Sequence, residues 1–250
     1  MIGLRSVARD PRTIARDIPG VLDTLFPHLV QGVVASFNRR AVSLSQLRAV
    51  PAELVEKSKL QKAMLFEIAV AVAEQLLDQR QSIDWDECLG VAGKRQRRYF
   101  DATVPQLLST NDKEVAEWVA NNLFTMLRET QSQSEPINRA PEIPGYQWIA
   151  SGVGDFSIGD TLIEVKCKNK NFSSSDYRQV LMYWLLSYCS AIESGSKEWS
   201  KVVLANPRLN LLVKVSFDEI VAVVGGGRSK VDLVESFSAI LSDRFENRGS

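Results

Sequence analysis

Apolar residues recur at helical spacing through the first hundred residues of the chain. One stripe contains Ile14, Val21, Leu22, Leu25 and Leu29, and such a repeat is typical of amphipathic helices. Residues 59–79 form the strongest helical segment, because they are rich in Ala, Leu, Glu and Gln and contain almost no helix breakers. This segment is apolar over most of its circumference, which predicts burial against other helices. We therefore predict a helical N-terminal region over residues 1–105.

The pattern changes in the second half of the chain. Residues 112–129 predict a helix with one apolar stripe, whereas residues 131–144 are polar, contain three prolines and predict a loop. Branched and aromatic residues then predict strands at 146–150, 161–168, 201–205 and 211–215.

Two further helices complete this order. One is expected over residues 175–193, between the second and third predicted strands, with Ser173 and Asp176 as its N-terminal cap. The other is amphipathic and covers residues 230–245. The sequence of elements predicts an α/β fold, preceded by an all-helical extension.

Composition narrows the classes of function. The 250 residues are 45% hydrophobic and 24% charged, which is typical of an ordinary globular protein. Thirty basic and thirty acidic residues cancel, which excludes nucleic-acid binding by bulk positive charge. Three cysteines without a C-x-x-C pair indicate neither a disulfide framework nor a zinc site. Because the first residues lack an apolar signal core and no apolar run is long enough to span a bilayer, we expect a cytoplasmic protein without a membrane partner.

Candidate chemistry is concentrated in residues 152–168. Side chains alternate along a strand, so Glu164, Lys166 and Lys168 share one face, and the apolar residues between them face a core. Asp155 lies shortly upstream, and two carboxylates can supply oxygen ligands to Mg²⁺. Lys166 would either orient the attacking water or stabilise charge that builds on the phosphate. Asp160 could replace Asp155, although its Ile-Gly-Asp-Thr context predicts the hairpin turn itself. The alternative is an ordinary strand whose solvent face alternates Glu and Lys.

Two motifs in this order resemble a known enzyme superfamily. Gly154-Asp155 followed by Ile163-Glu164-Val165-Lys166 resembles the signature of the restriction-endonuclease-like, or PD-(D/E)XK, nucleases. On the next predicted helix, Gln179 and Tyr183 resemble the Q-x-x-x-Y element of the RecB-type branch. Their spacing of four places both on one helix face. Taken alone, that pair is equally explained by a buried polar contact and a packing tyrosine.

The resemblance implies a restriction-endonuclease-like core over residues 106–224, made of a helix, a three-stranded meander, a helix and a strand, with a C-terminal helix over 225–250. It implies a Mg²⁺-dependent endodeoxyribonuclease, with Mn²⁺ as a substitute ion. Asp155, Glu164 and the carbonyl of Val165 would be the metal ligands. Lys166, Gln179 and Tyr183 would complete the catalytic group.

The chain departs from the family pattern in two respects. Gly154 stands where the family name has a proline. Many RecB-type proteins carry a histidine in an upstream helix, but the only histidine here, His28, lies far from the predicted core. Other members use a helical glutamate instead, and Glu117, or its neighbour Glu114, is the candidate here. The alternative is that both glutamates are solvated residues on the surface of a helix.

Basic residues near the proposed site could contact nucleic acid. Lys168, Lys170 and Arg178 flank it and could meet backbone phosphates. A second basic cluster lies at residues 94–98 and has Tyr99 beside it. Both groups are otherwise explained as solvated surface charge.

These features predict a nuclease that acts on DNA, with RNA left open because the proposed mechanism neither uses nor rejects a 2′-hydroxyl. A neutral chain predicts dependence on a protein partner such as an ATPase or helicase, or on formation of a homo-oligomer. The apolar N-terminal helices would supply that interface or simply pack on the core. The resemblance to this family, rather than any residue of the chain, further suggests a role in defence against phage or mobile DNA. The rival hypothesis is a catalytically silent nuclease-fold module for binding or assembly.

Overall fold

Helices fill the first half of the computed structural model, which describes residues 10–17, 20–97, 104–132 and 134–246. The described helices before the first strand are α1 (Pro11–Asp17), α2 (Val21–Leu25), α3 (Gln31–Asn38), α4 (Ala52–Lys57), α5 (Lys62–Leu77), α6 (Trp85–Gln96) and α7 (Thr110–Thr130). The elements after them are β1 (Ile137–Arg139), β2 (Glu142–Ile143), β3 (Gly152–Val153), β4 (Phe156–Ile158), β5 (Thr161–Val165), α8 (Ser174–Ser194), β6 (Lys201–Asn206), β7 (Leu211–Ser216), α9 (Phe217–Val224) and α10 (Lys230–Glu246).

A mixed sheet of five strands lies at the centre of these elements, in the order β1-β4-β5-β6-β7. β5 and β6 are parallel, and their register places Glu164 opposite Leu204. The other neighbouring strands of this sheet are antiparallel, and β2 and β3 form a separate pair. α8 connects the two parallel strands, because parallel neighbours need a crossover connection. The predicted α/β class is confirmed.

Helices cover both faces of the sheet, and the first hundred residues contribute to both. Leu162 of β5 belongs to an apolar core that also contains Ile14 of α1 and the buried residues of α8. Ile163, on the opposite face, belongs to a core shared with α5 and α7. The predicted alternation is therefore confirmed at Leu162 and Ile163, although β5 ends at Val165 and not at residue 168 as predicted. The predicted boundary between the helical region and the core, at residue 105, lies between α6 and α7. The predicted end of the core, at residue 224, coincides with the end of α9.

Local sequence signals predicted four helices within a few residues of their observed ends: α5, α7, α8 and α10. The cap of α8 is formed as predicted, since the amide and hydroxyl of Ser173 donate to the Asp176 carboxylate at 2.7 and 2.8 Å. α9 was not predicted. It follows β7 directly, and its first turn is capped by the Ser216 hydroxyl, which accepts from the Glu219 amide at 3.1 Å.

The strand predicted at residues 146–150 is wrong. Tyr146 and Ile149 form an isolated bridge across a turn, and the aromatic side chains pack on α10 instead. Tyr146 stacks on Phe237, and Trp148 Nε1 donates to the carbonyl of Leu241 at 3.0 Å. The first strand of the sheet, β1, lies in the segment predicted as a loop, and β4 was also missed. β1 is a three-residue edge strand with largely exposed side chains, so its sequence needs no apolar alternation.

Candidate active site

Four of the predicted site residues form one hydrogen-bonded group between β5 and α8. Glu164 Oε1 accepts from Lys166 Nζ at 2.8 Å and from Gln179 Nε2 at 2.6 Å. Lys166 Nζ also donates to Gln179 Oε1 at 2.9 Å. Gln179 Nε2 in turn donates to the Tyr183 hydroxyl at 2.9 Å. The strand alternation and the four-residue helix spacing therefore bring both sequence motifs into direct contact.

Asp155 joins the group through the backbone of β5. Its Oδ2 accepts from the Val165 amide at 2.8 Å. The last pair of the β4–β5 ladder is Phe156 with Ile163, so this carboxylate continues the hydrogen bonding just beyond the ladder. That contact fixes Asp155 beside the end of β5, next to the strand residue Glu164.

Arg12 of α1 completes the group, and sequence reasoning missed it. Its Nη2 lies 3.1 Å from Asp155 Oδ1 and 3.7 Å from Glu164 Oε1, and its Nε donates to the Tyr183 hydroxyl at 2.6 Å. A single nitrogen of one guanidinium therefore reaches both proposed metal-ligand carboxylates. Arg12 is 143 positions from Asp155, and no local pattern in the sequence distinguishes it from other arginines.

Glu164 is the most desolvated charged group of the site. Its side chain is 1% exposed, and its Oε2 has no hydrogen-bond partner among the described residues. Burial raises the pKa of Glu164, as does the negative charge of Asp155, while Lys166 and Arg12 oppose that change. Burial lowers the pKa of Lys166, but attraction to Glu164 and Asp155 outweighs it and the net change is upward. Lys166 and Arg12 therefore both stay protonated beside Glu164 and Asp155.

The group opens into a cleft of about 920 Å³ between α5 and the β4–β5 hairpin. α5 contributes Glu67 to the lining, and the pKa of Glu67 is raised by burial, lowered by Arg95 and raised by Asp155. Arg95 forms ion pairs with Glu74 at 2.7 Å and Glu67 at 3.9 Å. Two acids of α5 and their arginine therefore line the same cleft as the site.

The donor set suits a hard divalent cation. Within the described ranges, no group of three or more His, Cys, Asp or Glu side chains is arranged to hold a metal. Two carboxylates and one backbone carbonyl are nevertheless an adequate oxygen set for Mg²⁺, which takes few protein ligands and retains waters. Two features fit this set: Glu164 Oε2 is buried without a partner among the residues that the structure describes, and one positive nitrogen already lies between Glu164 and Asp155.

The glutamate proposed from α7 is not at the cleft. Glu117 is absent from the residues that line it, and Glu114 is exposed. The buried stripe of α7 packs against α5, and α5 is the helix that presents a glutamate, Glu67, to the cleft. This position had no motif around it, so the sequence offered no signal for it.

Asp160 lies at the other end of β5. It is in the β4–β5 turn, where its carboxylate accepts from the Ser200 hydroxyl and lies 3.7 Å from Lys201 Nζ. The Ser200 hydrogen bond lowers the pKa of Asp160. Of the two aspartates considered as ligands, Asp155 is the one bonded to the end of β5 that carries Glu164.

Two of the three flanking basic residues, Lys168 and Arg178, form ion pairs with acids of the protein. Lys168 lines the cleft and pairs with Asp176 at 2.6 Å, and Arg178 pairs with Asp23. Lys170 is exposed. In the basic cluster at residues 94–98, Arg95 lines the cleft, whereas Arg98 and the adjacent Tyr99 lie outside the described residues.

Comparison of the chain with protein-family models, with curated proteins and with solved structures found no match. Among the helices of the described ranges, none combines the length and apolar character needed to cross a membrane. The geometry of the cleft is therefore the main observation that bears on function.

Proposed function

We propose that this chain is a metal-dependent nuclease that hydrolyses phosphodiester bonds, with DNA as its substrate. The observation that carries the proposal is the convergence of Asp155 and Glu164 on one positively charged nitrogen, beside Lys166. Burying Glu164 beside the partly exposed Asp155 is costly unless the two acids are paired or bind a metal. Glu164 Oε2, which has no hydrogen-bond partner in the described part of the chain, adds an acceptor that a divalent cation can use.

Each protein group then has a role that its contacts support. A bound Mg²⁺ or Mn²⁺ would stabilise charge on the phosphate and lower the pKa of the attacking water. Lys166 lines the cleft and holds its ammonium 2.8 Å from Glu164 Oε1, where it can stabilise charge that builds on the phosphate. Gln179 contacts both Glu164 and Lys166 and orients them, and Tyr183 holds Gln179.

The order of elements supports a finer assignment to the restriction-endonuclease-like nucleases of the RecB-type branch. α7, β1, β4, β5, α8 and β6 come in the order helix, three strands, helix and strand, with the separate β2–β3 pair between β1 and β4. β1, β4 and β5 are neighbours in an antiparallel meander, and β5 is parallel to β6. The carbonyl of Val165, between Glu164 and Lys166, is the proposed third metal ligand by the same resemblance.

The charges around the cleft favour dependence on a partner. Arg95, Lys168 and Arg178 are paired with acids of the protein, and thirty acids balance thirty bases overall. Since affinity for nucleic acid depends heavily on neutralising phosphates, we expect the isolated chain to bind duplex DNA weakly. An ATPase, a helicase or a second copy of the chain would supply the missing affinity, and defence against phage or mobile DNA is a role compatible with such recruitment.

The test is a cleavage assay on the full chain, with and without candidate partners. Plasmid, linear DNA and RNA are incubated with Mg²⁺, Mn²⁺, Ca²⁺ or a chelator, and light scattering records the oligomeric state. Cleavage of DNA in Mg²⁺ or Mn²⁺ that the chelator abolishes is expected. A monomer that binds and cuts DNA tightly by itself at about 150 mM salt, where exposed charges more than about 8 Å apart are screened, would contradict the partner requirement.

One observation favours the rival function, a catalytically silent binding or assembly module. Arg12 and Lys166 already balance the charges of Asp155 and Glu164, so the cluster is neutral in the absence of a metal. A chain that takes up no divalent cation and cleaves no substrate with any partner would leave this rival as the better account.

A further inference from the structure

Arg12 occupies the position between the two acids that a bound cation would need. Its Nη2 is within 3.1 Å of Asp155 and 3.7 Å of Glu164. Ligand oxygens lie about 2.0–2.1 Å from Mg²⁺. A Mg²⁺ ion shared by these two carboxylates would therefore need the space that the guanidinium nitrogen of Arg12 occupies. Two positive charges at that position also repel each other.

Arg12 differs in this respect from the other ion-paired bases of the cleft, because Lys166 pairs with only one of the two proposed ligand acids, Glu164. Arg95 is paired with Glu74 and Glu67, and Lys168 with Asp176, and these pairs do not involve the proposed metal ligands. Arg12 pairs with both of those ligands. A guanidinium is charged throughout the physiological pH range, so Arg12 remains a cation whether or not it keeps those partners.

We propose that Arg12 is a substrate-binding residue that serves as the counter-ion of Asp155 and Glu164 until a divalent cation binds, and that its guanidinium then contacts a phosphate of the nucleic acid. The proposal rests on the nuclease function proposed above. The planar guanidinium offers paired donors that match phosphate oxygens, and its 29% exposed side chain lines the cleft. The Nε contact with Tyr183 keeps it near the site.

The first test measures metal binding alone, without any cleavage. Mn²⁺ is titrated into the full-length wild type and into Arg12→Gln and Arg12→Lys, with binding recorded by calorimetry and by the loss of the free-ion resonance signal. Arg12→Gln should bind Mn²⁺ at least about tenfold more tightly, a factor that corresponds to about 1.4 kcal/mol, because no cation has to leave. Arg12→Lys keeps the charge and should resemble the wild type.

The second test measures binding of a labelled DNA duplex with Ca²⁺ as the metal. Arg12→Gln should bind the duplex more weakly than the wild type, and the slope of log affinity against log salt should be smaller by about one, as for loss of one phosphate contact. The same substitution thus strengthens metal binding and weakens DNA binding. A residue with a purely structural role would not produce opposite signs.

Two controls keep the result interpretable. Arg40→Gln removes an exposed arginine that pairs with Glu219 of α9, outside the cleft, and should leave both affinities unchanged. In the wild type, an arginine-reactive dicarbonyl read out by mass spectrometry should label Arg12 more readily when Mn²⁺ is present, and this measurement needs no variant to fold.

The outcomes separate the two proposals. If wild type binds Mn²⁺ but Arg12→Gln binds it no more tightly, or binds DNA as well as the wild type, the role of Arg12 is wrong and the metal site stands. Labelling of Arg12 that does not respond to Mn²⁺ has the same consequence. If neither protein binds Mn²⁺, the metal site itself is wrong and both proposals fail.

Discussion

The two halves of α8 carry charged clusters with different properties. In the N-terminal half, Gln179 donates to Glu164, whose side chain is 1% exposed and whose Oε2 lacks a partner within the described part of the chain. In the C-terminal half, Trp184 Nε1 donates to Glu198 Oε1 at 3.0 Å, and Lys230 Nζ donates to the same oxygen at 2.9 Å. Glu198 and Lys230 are 25% and 29% exposed, so water reaches both.

The second cluster has a structural explanation. Lys230 also pairs with Asp218 at 2.6 Å and lies over the rings of Trp184 and Tyr188, so it joins α10 to α8 and α9. Its charges are paired and partly hydrated. In the cleft, by contrast, one oxygen of the buried Glu164 has no partner among the described residues. Such a group lowers the stability of the fold, so a structural role does not explain it, and unpaired buried groups of this kind are typical of functional sites.

The largest expected effect is loss of cleavage in Lys166→Ala. The proposed interaction of Lys166 strengthens in the transition state, so its loss should lower the cleavage rate at least about 100-fold, as removal of one such donor does, and leave DNA affinity unchanged. Single-turnover cleavage and equilibrium binding measure the two quantities. Lys214→Ala, at an exposed lysine of β7, is the matched control. If Lys166→Ala instead cleaves within about tenfold of the wild-type rate, the activation barrier differs by only about 1.4 kcal/mol. That result would contradict the catalytic role of Lys166.

The second effect separates the two aspartates of the β4–β5 hairpin. Asp155→Asn should weaken Mn²⁺ binding by more than about tenfold, since even indirect partners of a metal site cost at least that much when they are lost. Asp160→Asn should leave Mn²⁺ binding unchanged, because Asp160 is bonded to Ser200 at the other end of β5. Calorimetric titration of both variants decides, and the reverse order of affinities would transfer the ligand role to Asp160.

The third effect concerns the structural cluster. Lys230→Ala should lower the free energy of unfolding by about 1 kcal/mol, since partly exposed ion pairs and cation–π contacts each contribute no more than that. Cleavage and Mn²⁺ binding should not change. Urea denaturation gives the stability, with Lys214→Ala again as the control. A Lys230 variant that folds but loses activity would show that the two halves of α8 are not independent.

The smallest effect is a difference in pH dependence between wild type and Glu164→Gln. Burial and Asp155 raise the pKa of Glu164, so the folded protein binds this proton more tightly than the unfolded chain does. The resulting stability is fully present below the pKa that Glu164 has in the unfolded chain. It is lost as the pH rises through the raised pKa that Glu164 has in the folded protein. Metal-free unfolding across this range should show wild type losing stability relative to Glu164→Gln as pH rises. A relative gain instead would contradict the raised pKa.

The sequence by itself determined the features that depend on near neighbours along the chain. The alternation along β5 and the residue that follows it placed Glu164 and Lys166 on one face, and the i, i+4 spacing placed Gln179 and Tyr183 on one face of α8. The cap of α8 at Ser173 and Asp176 is local for the same reason. In each case the geometry of a single helix or strand is sufficient.

Only the tertiary structure decided which distant residues complete the site. Arg12 reaches Asp155 and Tyr183 because α1 packs against α8 in the core that lies on one face of the sheet. Glu67, rather than Glu117, lines the cleft because of how α5 and α7 pack on the other face. β1 is a strand only because it pairs with β4. Such contacts depend on long-range packing of two cores, and no periodicity within one segment contains that information.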